Sequence, residues 1–165
     1  MERFWNMVHY FIYLADYKFH LLFRKINPVT LIHKLPFQKK MYEKRGINIG
    51  NEINEAFKNQ HFGISTIRAG GFIGLLLFFL LLGLTMILCG LINSKYSLKS
   101  YHFYLIGVIS WIVNYYILFK KRKYLKYFKE FDKMQKKEKI KWALYSFLTI
   151  LCIIVFFILS FIYFA

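Results

Sequence analysis

Cysteine is nearly absent from this chain. Cys89 and Cys152 both lie in apolar stretches, with no partner at metal-ligand or redox spacing. That argues against a zinc site and a disulfide framework, and leaves the two as small packing residues. Acidic residues are scarce as well, eight in total against 24 lysines and arginines, so general acid–base chemistry has few carboxylates to draw on. No H-E-x-x-H, G-x-S-x-G, P-loop or G-x-G-x-x-G pattern occurs. The histidines are scattered at positions 9, 20, 33, 61 and 102. No catalytic residue, metal site or cofactor is expected, and the chain reads as a non-enzyme.

Charge is missing altogether from three long windows, residues 69–92, 101–119 and 142–165. Ion-coupled transporters, proton relays and voltage sensors place ionisable groups in such stretches, so this absence argues against those classes. Proline occurs only at Pro28 and Pro36. There is no internal repeat and no Pro-, Ser- or Gln-rich linker, and the length suits one domain.

What is present is apolar and basic at once. Hydrophobic residues make up 58%, aromatics 21%, and the net charge is +16. A soluble chain this basic points to nucleic acid, and a membrane chain this basic points to the positive-inside rule. The distribution decides for the membrane, because every lysine and arginine lies outside the three windows. Each window meets or approaches the ~20 residues that cross a hydrocarbon core, and in lipid the backbone must satisfy itself as an α-helix. The fold class expected is therefore an all-α integral membrane protein with three transmembrane helices (69–92, 101–119, 142–165) plus amphipathic interfacial or cytoplasmic helices. Residues 1–68 carry eleven Lys or Arg, the loop 93–100 carries two (Lys95, Lys99), and residues 120–141 carry eleven. That pattern places the first and last of these segments in the cytoplasm and the short loop and the C-terminus on the opposite side. The expected location is the bacterial inner (plasma) membrane.

Residues 1–68 form the expected N-terminal region. Residues 4–23 are long and aromatic but include Asn6, His9, Asp16, Lys18 and His20. Nine good apolar residues favour insertion by about 4 kcal/mol, while Asp and Lys each cost up to ~3. The balance predicts a helix lying in the interface rather than a fourth span, and the charges argue against a cleaved signal peptide. His9, Asp16 and His20 share a face, but His9 and His20 are three turns apart, ~16 Å. Only Asp16 with His20 could share an ion, and the whole face is expected to meet water or headgroups. Asn27-Pro28 should stop this helix, Pro36 should break the chain again, and 41–50 reads as a polar turn. Asn51 should cap a short helix over about 51–59, with Gly63 after it.

In 120–141, Tyr124, Tyr127, Phe128, Phe131 and Met134 fall on one helical face. With no Gly or Pro to turn the chain, this helix is expected near the membrane surface or packed on the N-terminal helix. Lys120, Lys121, Arg122, Lys123, Tyr124, Tyr127, Phe128 and Phe131 are then a candidate surface for anionic lipid headgroups or a partner. Basic and aromatic residues interleaved could also bind nucleic acid, but topology and lipid account for them more simply. Small and polar residues in the spans are candidates for helix packing or oligomerisation: Gly70, Gly74, Gly83 and Gly90; Gly107, Ser110 and Asn114; Ser146, Thr149 and Ser160.

The leading expectation is a non-catalytic polytopic membrane protein that works by binding another membrane or cytoplasmic protein, as a complex subunit or an accessory, immunity or defence component. The alternative is a homo-oligomer: a self-assembling pore or membrane-perturbing effector. An enzyme acting on lipid would have only His9, Asp16 and His20 to use.

Overall fold

The computed structural model describes residues 1–27, 32, 35–92 and 99–164. Lys95, His33 and most of the loop 93–100 lie outside the described residues, all of whose regular structure is helical. The elements are α1 (Glu2–Ile26), α2 (Pro36–Lys44), α3 (Ile49–Lys58), α4 (Ile64–Ile92), α5 (Ser100–Asn114), α6 (Lys123–Asp132) and α7 (Lys136–Phe164). Three helical stretches, Ile64–Ile92, Ser100–Asp132 and Lys136–Tyr163, are long and apolar enough to cross a membrane.

Local chemistry explains the boundaries. α1 stops at Ile26, before Asn27-Pro28, because a residue preceding proline is pushed out of the helical region. Pro36, expected to break the chain, instead starts α2, where its missing N–H is no loss and its fixed φ suits the first turn. The polar turn expected over 41–50 is thereby half helix. Asn48, not Asn51, caps α3: its side chain accepts from the Asn51 N–H at 3.3 Å. α3 ends at Lys58, and a Cβ on Gly63 would collide with the Asn59 carbonyl oxygen, so only glycine fits there. α4 and α7 begin about one and two turns earlier than their charge-free windows, at Ile64 and Lys136. Lysine and glutamate are good helix formers, so charge ends an apolar window without ending the helix.

The second apolar stretch is not one rod. After Asn114 it loosens into a π turn, Tyr115–Phe119, then tightens through Lys120–Arg122. Lys121 and Arg122 take left-handed φ of 56° and 53°. The chain thus changes direction without Gly or Pro, at a cost of about 1–2 kcal/mol per residue.

The chain forms two compact units, Met1–Phe11 with Gly70–Ala165, and Ile12–Ala69. Residues 1–11, expected with the N-terminal region, thus cluster with the apolar helices. In this first unit α4 and α5 are clasped by two buried bonds. Ser110 Oγ donates to the Gly74 carbonyl at 2.7 Å, and Asn114 Nδ2 donates to the Gly70 carbonyl at 3.0 Å. Leu82, Met86 and Ile106 form a small apolar core farther along. In the second unit the rest of α1 binds the segments after it. Tyr13 OH donates to the Lys58 carbonyl at 2.6 Å, Arg24 donates to the Gly50 carbonyl at 2.9 Å, and Asp16 pairs with Arg68 at 3.3 Å.

Candidate functional site

The most elaborate side-chain assembly lies in the first unit, where the first turns of α1 meet α6. α6 presents Tyr124, Phe128 and Phe131 at helical spacing, and all three are buried. His9 and Tyr10 of α1 sit among them: His9 is 5.1 Å from the Phe128 ring and 5.7 Å from Tyr124, and Tyr10 is 5.2 Å from Phe128. Phe119, at the end of the π turn, joins the cluster edge-on to Tyr124 at 5.6 Å. Edge-to-face ring pairs of this kind add about 0.5–1.5 kcal/mol each beyond their buried area.

Polar groups rim the cluster. Tyr10 OH donates to Asp132 at 2.6 Å. Arg3 donates through two nitrogens to one Glu130 oxygen, at 3.0 and 2.7 Å. Lys123 Nζ reaches Glu2 at 2.6 Å, and Tyr127 OH donates to the other Glu2 oxygen at 3.3 Å. The hydrogen bond from Lys123 holds the Glu2 carboxyl below the usual glutamate range. Burial pushes the Tyr124 and Tyr127 phenols up, Tyr127 further through the Glu2 charge. Asn6, fully buried, donates to the Glu2 and Ile117 carbonyls at 2.9 and 3.2 Å. The π turn is thus tied to α1 by an amide whose Oδ1 has no hydrogen-bond partner.

This arrangement corrects the reading of 120–131 as one continuous surface. Tyr124, Phe128 and Phe131 are interior residues, since their stripe faces α1. Lys120, Lys121 and Arg122 remain exposed, while Lys123 and Tyr127 are half-buried and engaged with Glu2. Lys120 lies over the Tyr116 ring at 4.3 Å.

The small residues of the apolar helices are mostly turned inward. Gly70 faces Phe119, and Gly74 faces Asn114 closely: a Cβ there would lie 3.1 Å from the amide nitrogen, which would have to yield by a few tenths of an ångström. Gly83 faces Phe156 and Ser160 in the same way. Ser146 and Ser160 are buried and bond carbonyls of their own helix, at 2.9 and 2.7 Å. Gly90 is half-buried, Thr149 is half-exposed and bonds Tyr145 O at 2.8 Å, and Gly107 faces open space.

The polar face of α1 is also corrected. Asn6 and His9 are fully buried rather than solvated. In the second unit Asp16 meets Arg68, and His20 stacks on Phe57 with ring centres 3.6 Å apart. Each polar residue of that face is committed to a protein neighbour, and no group of three or more potential metal ligands occurs among the described residues.

The adjoining apolar face is the one that sequence reasoning missed. Phe19, Leu22, Phe23 and Ile26 fall at i, i+3, i+4 and i+7, and their exposures are 58, 61, 54 and 79%. Phe19 and Phe23 touch, with centroids 4.3 Å apart. Together they expose roughly 400 Å² of apolar surface, the size at which a patch signals a contact. Lys18 is exposed beside them. The same unit holds a cavity of about 520 Å³ among Arg24, Tyr42, Glu43, Ile47, Gly50 and Ile53.

No protein-family model, curated protein or solved structure matches this chain.

Proposed function

We propose that this chain is a non-catalytic polytopic membrane protein that binds another membrane or cytoplasmic protein, as a complex subunit or accessory. The observation that carries the reading is the exposed apolar stripe of α1 in the second unit. Asp16 and His20 point to protein neighbours, while Phe19, Leu22, Phe23 and Ile26 point outward. Exposing that stripe to water is unfavourable. The stripe needs an apolar occupant, and the exposed Lys18 beside it, in a unit that also exposes Lys39, Lys40, Lys44 and Arg45, favours one rimmed by acidic residues. A partner's amphipathic helix meets both requirements.

The membrane setting rests on the three apolar helices and on their exposed surface. Leu88, Trp111 and Phe161 each leave more than half their area uncovered, which suits a lipid solvent. In this reading 69–92, 101–119 and 142–165 span the bacterial inner membrane. Residues 12–68 and 120–141 face the cytoplasm, with α1 at the interface, and residue 165 lies on the far side. The pore alternative is supported less, because most small residues that would line or seal an oligomer meet neighbours within the chain.

The test is affinity purification in mild detergent, with quantitative mass spectrometry, of wild type and of Phe19→Glu/Phe23→Glu. One protein should co-purify in stoichiometric amount with wild type and be lost from the variant, and the purified pair should rebind. An unchanged set of companions would refute the proposal. So would quenching of a probe placed at Leu22 by spin-labelled lipid, which would make the stripe a lipid contact. A polypeptide that stays monodisperse without detergent would refute the membrane setting itself.

A further inference from the structure

We propose that the first unit holds one acyl chain of an anionic phospholipid in a slot between α4 and α7. The inference rests on the membrane setting above and is independent of the protein partner. The slot has a volume of about 450 Å³, and its walls include Phe4 of α1, Leu80 of α4 and Trp142, Tyr145, Cys152 and Phe156 of α7. From Trp142 to Phe156 it follows α7 for fourteen residues, about 21 Å. Its far end closes where Phe156 lies against Gly83, whose missing side chain lets the two helices meet. The Thr149 hydroxyl, also in the wall, is occupied by the Tyr145 carbonyl at 2.8 Å. The slot therefore presents little that water would seek, as an alkyl chain requires.

Size selects among apolar occupants. An α-helix is about 10 Å across with its side chains, so 21 Å of it fills about 1,600 Å³, several times the slot. A polymethylene chain is about 4 Å across, one carbon–carbon contact, so 21 Å of it fills about 260 Å³ and fits inside the slot, while two chains would overfill it. Charge selects the headgroup. At the Trp142 end, the start of α7 carries Lys136, Lys137, Lys139 and Lys141 against a single Glu138. Lys141 holds its ammonium 5.8 Å from the centre of the Tyr145 ring that walls the slot. Lys139 is turned to the Asp132 carbonyl at 2.9 Å, and Arg3, next to Phe4, is balanced by Glu130. Lys141 is thus the cation placed to meet a phosphodiester whose chain enters between Trp142 and Phe4, with the indole at headgroup depth.

The experiment uses the full chain in nanodiscs of mixed phosphatidylcholine and phosphatidylglycerol, with a diazirine on one acyl chain of either lipid. After illumination, labelled peptides are mapped. Phosphatidylglycerol should label Thr149 and Cys152 well above Phe147 and Ile154, which are exposed on the opposite side of the same helix, and above Ile162, beyond the slot's closed end. The phosphatidylcholine probe should label the slot about fivefold less, the worth of one lysine beside an anionic headgroup. Lys141→Gln should erase that difference, and Cys152→Trp should empty the slot while leaving Ile162 labelled as before. Labelling spread evenly around α7, or equal labelling by the two lipids in wild type, overturns the proposal on the unmodified chain. Failure to enter nanodiscs at all would instead count against the membrane setting.

Discussion

Gly70→Ala tests whether the small-residue face of α4 serves this chain or a second copy. The added methyl would lie 2.5 Å from Phe119 Cζ and 3.2 Å from Cε2, where carbon–carbon contacts prefer about 3.5–4.0 Å. Phe119 cannot simply swing away, because Tyr124 and His9 hold its ring at 5.6 and 6.2 Å. Overpacking of this kind costs about 1–3 kcal/mol, while replacing a helical glycine by alanine returns about 1 kcal/mol. The single variant should therefore lose roughly 0–2 kcal/mol. In a Phe119→Leu background the obstacle is gone, and the same substitution should become stabilising by up to about 1 kcal/mol. The assay is reversible unfolding in mixed micelles across a range of protein-to-detergent ratios, followed by circular dichroism. The reversal of sign should hold at every ratio, because Gly70 and Phe119 belong to one chain. A cost that is the same in both backgrounds, or that fades on dilution, would refute the intrachain clasp and revive self-association.

Three further outcomes follow from the same contacts. Phe128→Ala should destabilise by about 3–5 kcal/mol, since its ring is fully buried among His9, Tyr10 and Tyr124; a change confined to vesicle binding, without loss of stability, would put that ring at a surface. Lys121→Gly and Arg122→Gly should each stabilise by roughly 0.5–1 kcal/mol, as glycine avoids the left-handed penalty but brings its own entropy cost; destabilisation on equilibrium unfolding would show that the turn is unstrained. Glu2, its folded pKa depressed by Lys123, binds protons more readily in the unfolded state. Its contribution should be complete above the ordinary glutamate pKa of about 4.3 and disappear as pH falls through the lower folded value. Glu2→Gln should flatten that part of the stability–pH curve, and an unaltered curve would exclude the Glu2–Lys123 bond as its source.

Much of this architecture was legible in the residues because it depends on local properties. Long charge-free windows mark apolar helices wherever the chain goes next, and the spacing of Tyr124, Phe128 and Phe131 puts them on one face of α6, though not which way that face turns. Other features were hidden because two physical readings competed. Pro36 is a breaker inside a helix and a starter at its first turn. Asn48 and Asn51 are three residues apart and equally good caps, so only the backbone path chooses between them. The Lys121–Arg122 turn breaks the rule that glycine occupies left-handed positions, and no local signal announces it.

By itself, the sequence determined that the chain is helical, that three of its stretches shun charge, and that its lysines gather between them, since these follow from side-chain chemistry residue by residue. Only the tertiary structure decided which way each face turns. Amphipathicity says that α1 has two unlike sides, but which is inside depends on what neighbours offer. Ile117, Lys58 and Arg68 offered partners for Asn6, Tyr13 and Asp16, so these turned in beside Met7, Val8 and Tyr10, and Phe19, Leu22, Phe23 and Ile26 were left facing out. The glycines of α4 were settled in the same way, by Phe119, Asn114 and Phe156 arriving from distant parts of the chain.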